Sequence, residues 1–148
     1  MAAGIANNGN MIANRFVLKV SDQPQAIKTG TKLVNNPAYA RLMQEYMIKQ
    51  SSPKVQTLGL AVAGKTGTPE RIWKKQQIND GWYVFFAPTA TGKGHIVVCI
   101  RIEATKGSSD AVRLAGRHVI PFLKEGGYIK SIVPSAKTDD NATVPEFN

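Results

Sequence analysis

Apolar residues recur along this chain with two different periods, and the periods mark its elements. Tyr39, Leu42, Met43, Tyr46 and Met47 repeat at three- and four-residue intervals behind Asn36-Pro37, a capping residue followed by proline at a first helical position. This predicts a helix from 37 to about 50, stopped by Ser51-Ser52-Pro53. Leu58, Leu60 and Val62 alternate with Gly59, Ala61 and Ala63, which predicts a strand over about 57 to 68 with small residues on one face. Aromatic and β-branched runs at 81 to 88 and 95 to 103 flank the turn-forming stretch Pro88-Thr89-Ala90-Thr91-Gly92-Lys93-Gly94, so these two strands are expected to pair antiparallel. Val112, Ala115, Val119 and Phe122 form the stripe of a helix over 108 to 125, capped by Ser108 or Ser109, bent by Pro121 and ended by Gly126-Gly127.

Smaller pieces complete the pattern. Met1 to Ala6 reads as a helix end, stopped by Asn7-Asn8-Gly9. Phe16 to Val20 and Gln25 to Lys28 read as a surface hairpin around Asp22-Gln23-Pro24. Beyond Pro134 the sequence turns polar, and no segment repeats. The expectation is an α+β fold, an antiparallel sheet of three consecutive strands with flanking helices, in a domain over 1–134 with a polar tail over 135–148.

Composition narrows the class. With 148 residues, 43% hydrophobic and 20% charged, the chain is one domain or part of one. A formal charge of +9 favours a polyanionic partner, be it nucleic acid, an anionic lipid surface or cell-wall polymer, without choosing among them. The single cysteine, Cys99, excludes an intrachain disulfide; its apolar neighbours suggest a buried, inert thiol. His95 and His118 lack metal-ligand spacing, so neither metal nor cofactor is expected. Lys74-Lys75 reads as a solvated turn, and Arg113, Arg117 and Lys124 as a solvated helix face. No apolar run reaches the length of a membrane span and no signal peptide opens the chain, so an anchor would have to lie in a segment outside these residues.

Two motifs compete for the centre of the chain. Gly59 to Thr66 satisfies the P-loop pattern Gly-x-x-x-x-Gly-Lys-Thr, but Leu60-Ala61-Val62-Ala63 favours strand over a phosphate-cradling turn, and Gly67 and Pro69 interrupt the helix that should begin at Lys65. The alternative is the tetrapeptide Lys65-Thr66-Gly67-Thr68, where a strand would place Thr66 and Thr68 on one face for a carboxylate, with Lys65 adding positive charge. A second copy, Lys28-Thr29-Gly30-Thr31, closes the short hairpin and reads as a loop. Trp82, Tyr83, Phe85 and Phe86 read as strand packing instead of a base-stacking platform, so no nucleic acid is expected.

Lys65 to Thr68 resembles the third active-site motif of the serine penicillin-recognising enzymes: penicillin-binding proteins, serine β-lactamases and their sensor relatives. Met1 to Met11 is similar to that family's helix ending in Ala-x-Ala-Asn-Gly-Gly, and Trp82 to Pro88 to its Trp-Phe-x-Gly-Phe-Ala-Pro strand, with Phe85 in place of the glycine. The resemblance runs to about residue 127 and is greatest to the bimodular D,D-transpeptidases of cell division or elongation. It implies a partial transpeptidase (β-lactamase-like) domain in which Lys65 and Thr68 serve catalysis and Thr66, Gly67 and Thr68 bind substrate. The implied partners are peptidoglycan stem peptides, β-lactams and the N-terminal remainder of the same protein, at the outer face of a bacterial cytoplasmic membrane. The family's Ser-x-x-Lys and Ser-x-Asn motifs precede its Asn-Gly helix; here only Ser51-Ser52-Pro53-Lys54 fits the first pattern, and it follows that helix. The chain is thus read as the C-terminal part of such a domain, without its nucleophile and with a sheet edge open to self-association. A β-lactam sensor, a serine β-lactamase and a basic nucleic-acid-binding module are the alternatives.

Overall fold

The computed structural model describes residues 1–11, 13, 16–26, 30–51, 55 and 62–130. The strand expectation before Val62, the Ile27-Lys28 end of the hairpin, Lys28 and Thr29 of the early Lys-Thr-Gly-Thr, and the tail fall outside those residues. Helix α1 spans Ala2–Ala6, and Asn8 and Gly9, at φ 53° and 87°, turn the chain out of it as the Asn-Asn-Gly sequence predicts. The hairpin is β1, Lys19–Val20, against β2, Gln23–Pro24. Its two-residue turn is Ser21-Asp22, both left-handed at φ 47° and 64°, so it bends earlier than Asp22-Gln23-Pro24.

Helix α2, Pro37–Lys49, begins as expected: the Asn36 side chain accepts the Ala38 N–H at 3.0 Å and Pro37 fills the first turn. Its covered face is not the aromatic stripe. Ala40 is buried and Gln44 and Met47 are half-buried, with Gln44 Nε2 donating to the Ile5 carbonyl at 2.6 Å to tie α2 to α1. Tyr39, Leu42, Met43 and Tyr46 are exposed. Periodicity identifies a helix but not which flank its neighbour takes, and here the small Ala40 admits the close approach.

The sheet is built around β5, Gln76–Pro88, a 13-residue strand paired along both edges. Strand β6, His95–Thr105, runs antiparallel down one edge, from Pro88↔His95 to Asn79↔Thr105. The other edge is shared end to end by β3, Ala63–Gly67, opposite 82–86, and β4, Glu70–Trp73, opposite 76–79. Strand β4 is absent from the sequence expectation of three consecutive strands, and β5 starts at 76 instead of 81. Glu-Arg-Ile-Trp carries no clean alternation, and its turn, Lys74-Lys75 at φ 50° and 65°, uses left-handed lysines where Asn-Gly would be the readable signal.

Tyr83, Phe85 and Ala87 of β5 and Ile100 of β6 form the main core with Val55, Val62, Ala111, Val112, Ala115, Ile120 and Ile129. Among the described residues the opposite sheet face is covered by apolar packing only at one end, where Phe86 and Ala63 meet Ala6. Cys99 is exposed, contrary to the buried thiol expected, because β6 alternates and pairs Cys99 with Val84 on the face away from Tyr83 and Ile100.

The C-terminal helical run departs from its predicted stripe at its midpoint. Helix α3, Ser108–Leu114, passes into a π-helical turn, Ala115–Val119, where the Ile120 N–H bonds the Ala115 carbonyl, and then into α4, Ile120–Glu125. Pro121 cannot donate to the turn before it, and the wider π turn accommodates this. One extra residue per turn shifts the phase. Ile120 and Leu123 therefore face the sheet, and Phe122 is exposed, stacked on Tyr128 at 6.2 Å. The run ends as predicted: Gly127 is left-handed at φ 69°, with Tyr128 N–H to Leu123 carbonyl at 2.9 Å and Gly127 N–H to Lys124 carbonyl at 3.1 Å. Its start is corrected, since Gly107 occupies the cap position and no side chain of the run caps it.

Asp80 joins three strands. The register of β5 against β6 slips between Asn79 and Gly81, leaving Asp80 opposite a bulge in which Ala104 takes φ 51°. The buried Asp80 carboxylate accepts Arg101 Nη2 at 2.7 Å, Arg71 Nε at 3.1 Å and the Ala104 N–H at 3.1 Å. Hydrogen bonding from Arg101, seconded by Ala104 and Arg71 and opposed by burial, lowers its pKa from 3.8 to about 2. A depressed carboxyl stabilises the fold fully above its ordinary pKa and loses that contribution as pH falls through the folded value. The melting temperature is therefore expected to drop as pH falls from about 4 to about 2. Asp80→Asn should melt several degrees lower at pH 7 and change less across that acid window, as followed by circular dichroism; wild-type melting of the variant at pH 7 would contradict this account.

Candidate functional site

Lys65, Thr66 and Gly67 close β3, and Thr68-Pro69 carries the chain across to β4. Proline removes the donor that would continue the ladder, so β3 ends where the motif ends. Gly64-Lys65-Thr66 lies within a strand with another strand following, and no helix begins at Lys65. That geometry excludes the P-loop.

Strand pairing sorts the motif's side chains. Thr66 stands opposite Tyr83, on the side of the sheet that carries α3, and Thr68 continues on that side: its hydroxyl oxygen accepts the Ser108 N–H at 3.1 Å. Lys65 stands opposite Val84 on the other face, and its ammonium bends back to the Thr66 carbonyl at 2.9 Å. Lys65, Thr66 and Thr68 are all exposed. The four residues thus form a surface strip with an ammonium at its edge and two hydroxyls on one side.

Packing behind the strip is tight. The Tyr83 ring lies directly over Gly64, whose missing side chain makes the space. Burial raises the Tyr83 phenol above its ordinary pKa, with the Ser51 hydroxyl pulling the other way. Phe85 stacks on Tyr83 at 5.4 Å within the core, so the side chain standing where the resembling family has glycine is accommodated on the α3 side of the sheet. Ser51, the start of the sole Ser-x-x-Lys in the sequence, is 5% exposed and has the setting of a packed core-edge residue; Lys54 lies outside the described residues.

The remaining candidates are placed elsewhere. His95 is exposed at the start of β6, edge-on to Phe86 at 5.6 Å, and partial burial lowers its pKa. His118, Arg113, Arg117 and Lys124 are exposed along the helical run, Arg113 bonding Asp110 at 2.7 Å. Arg71 and Arg101 are committed to Asp80, and Arg101 also lies 5.5 Å over the Trp82 ring. Among the described residues, no three potential metal ligands converge, and no helix is long and apolar enough to cross a membrane. A hollow of about 670 Å³ opens between Asn79, Thr105 and Arg113 and touches none of Lys65 to Thr68.

Sequence reasoning gave no site role to four residues beside the motif: Asp80, whose N–H bonds the Pro69 carbonyl at 3.0 Å, and Gly81, Gly107 and Ser108, which bring α3 down onto Thr68. Glycines immediately before Trp82 and before the serine pair were the available signal. They mark close backbone approaches that a one-dimensional pattern does not pair.

Comparisons with known proteins bear on the fold and the family. The structure resembles penicillin-binding protein 2B of Streptococcus pneumoniae at a TM-score of 0.53 and 18% identity, over 82% of this chain and 23% of that one. It resembles PBPA of Mycobacterium tuberculosis at a TM-score of 0.51 and 24% identity, over 81% of this chain and 30% of that one. At those identities the likeness is one of fold, and the chain spans less than a third of either relative's length. No curated protein matches the sequence. The family model of the penicillin-binding protein transpeptidase domain matches residues 1–119, α1 through the π turn, and the chain belongs to that family.

Proposed function

We propose that this chain is the substrate-binding part of a D,D-transpeptidase that cross-links peptidoglycan stem peptides, and that Lys65-Thr66-Gly67-Thr68 is its carboxylate-binding strand. The observation that carries the reading is the exposed Lys-Thr-Gly-Thr strip at the end of a strand, in a chain of the transpeptidase family. Its chemistry suits the end of a peptide. Thr66 and Thr68 hydroxyls donate to the terminal carboxylate, and the Lys65 ammonium supplies the opposite charge.

The reaction is acyl transfer through a serine supplied by sequence outside these 148 residues. The serine oxygen attacks the penultimate D-Ala carbonyl, the terminal D-Ala leaves with the proton, and an amine of a second stem then displaces the serine. The Thr68 N–H is one of two donors to the oxyanion in each tetrahedral intermediate, a type of donor whose loss costs about a hundred- to a thousandfold in turnover. β-Lactams acylate the same serine, as they mimic the acyl donor. The whole protein works at the outer face of the cytoplasmic membrane, held by a segment outside this chain, and uses no metal or cofactor.

A β-lactamase or a β-lactam sensor would share the strip, and the complete protein separates them: rapid deacylation identifies the first, a stable acyl-enzyme without cross-linking the second. Nucleic-acid binding is the weaker alternative, because Arg71, Arg101 and Arg113 are already engaged with carboxylates. Tight DNA binding that falls steeply with salt, in a protein indifferent to β-lactams, would favour it.

Three outcomes are expected. The 148-residue chain alone takes no label from a fluorescent penicillin, whereas the complete protein does; labelling of the chain would reveal an overlooked nucleophile. In the complete protein Thr68→Val slows acylation about ten- to a hundredfold, the worth of a hydrogen bond to a charged group, while its melting temperature falls by only a few degrees, the cost of the lost Ser108 contact. Unchanged acylation in that variant removes the role given to Thr68. The outer edge of β6 meets no strand among the described residues, so the isolated chain self-associates in sedimentation velocity at micromolar concentration. A monomer with a sharply cooperative melt speaks against this.

A further inference from the structure

The contact between Thr68 and the start of α3 is built by three positions far apart in sequence. Gly107 adopts φ 150° and ψ −167°, a backbone region open in practice to glycine alone, and lies so near Thr68 that a Cβ there would meet its side chain at contact distance, 3.4 Å. Gly81 faces the same segment, and a side chain there would run into the Gly107 carbonyl and sit 2.9 Å from the Thr105 methyl. The chain can thus descend onto β5 at 107 only because 81 and 107 both lack side chains. What it delivers there is the Ser108 N–H, which as the first N–H of a helix has no partner within the helix. The Thr68 hydroxyl oxygen accepts it at 3.1 Å and does the work of the capping side chain that Gly107 lacks.

This fixes more than the position of Thr68. A hydroxyl has one proton and two lone pairs, and a lone pair aimed at the Ser108 N–H forces the proton to point elsewhere. We propose that the Ser108 N–H is a positioning group that presets the Thr68 hydroxyl as a donor toward the exposed face of the strip, where the substrate carboxylate binds; the role rests on reading Lys65 to Thr68 as a carboxylate site. A hydroxyl with one lone pair already engaged has fewer orientations to give up on binding and fewer in which a lone pair faces the anion.

The contact is tested in the chain itself by amide hydrogen exchange at Ser108. Protection is expected in wild type and in Thr68→Ser, with exchange about tenfold faster in Thr68→Val, in which the acceptor is gone. Equal exchange in Thr68→Val and wild type overturns the contact. The role is tested in the complete transpeptidase with Ser108→Pro, which replaces the N–H with a ring carbon. Proline suits the first position of a helix, and the extended ψ of Gly107 suits the residue before proline. Ser108→Pro should slow acylation by benzylpenicillin about tenfold, and Ser108→Ala, which keeps the N–H, should not. With the methyl ester of benzylpenicillin, which has no carboxylate, the Ser108→Pro deficit should vanish. Equal slowing toward acid and ester, or no slowing, overturns the role. A wild type acylated by neither compound sinks the transpeptidase reading and this role with it, while the Ser108 exchange result decides the contact independently.

Discussion

The arrangement around Lys65 to Thr68 depends on one buried carboxylate. Asp80 sits where β5 and β6 slip register, and it holds Arg71 from β4, Arg101 from β6 and the bulged Ala104 backbone at once, while its own N–H fastens Pro69. Without that anion two guanidinium groups would face each other across β5, and the end of β3 would lose the bond that fixes where it turns. The bulge contributes as well, because a regular ladder would leave the Ala104 N–H pointing at β5 instead of at a carboxylate. A strip of polar side chains on a surface can hold a fixed geometry only if what lies beneath is rigid, and here rigidity comes from charge-assisted hydrogen bonds on one side and the stacked Tyr83–Phe85 pair on the other.

How much of this was legible in the sequence follows from the kind of signal each element leaves. Helix α2 was read to within a residue because Asn36-Pro37 is a local capping signal that requires no tertiary information, and β5 and β6 were read because their aromatic and β-branched runs leave no competing period. Strand β4 was missed because Ile72 and Trp73 sit adjacent instead of alternating, and both remain exposed in the fold. The strip itself was legible as four consecutive residues. The Asp80 cluster and the Gly81–Gly107–Ser108 approach were not, since each joins residues from separate strands and loops, and no periodicity connects position 68 to position 108. Cys99 shows the same limit: its neighbours are apolar, yet which face of β6 is covered depends on where α3 lies.

Two surfaces follow from the way the helices are laid. The sheet is buried over the Tyr83–Ala87 stretch on the side of α3 and α4 and, among the described residues, only at the Phe86 end on the other, where α1 and Met47 reach it. Helix α2 in turn covers its neighbours with Ala40, Gln44 and Met47 and leaves Tyr39, Leu42, Met43 and Tyr46 outward. The described part of the fold is therefore well packed around one core and sparsely covered beyond it, and the exposed polar strip lies at the junction between those two regions.

The π turn at Ala115–Val119 makes the C-terminal helix a phase adapter. Its first half presents Ala111, Val112 and Ala115 in one angular frame and its second half presents Ile120 and Leu123 in another, joined by a single over-wide ring that absorbs the offset. Winding the same residues into an uninterrupted α-helix, without the wide ring, would rotate Phe122 inward and Leu123 outward against the same sheet. Length and facing are thus separately encoded along this helix, and its regularity is surrendered at the one place where the surrendered hydrogen bond belonged to a proline.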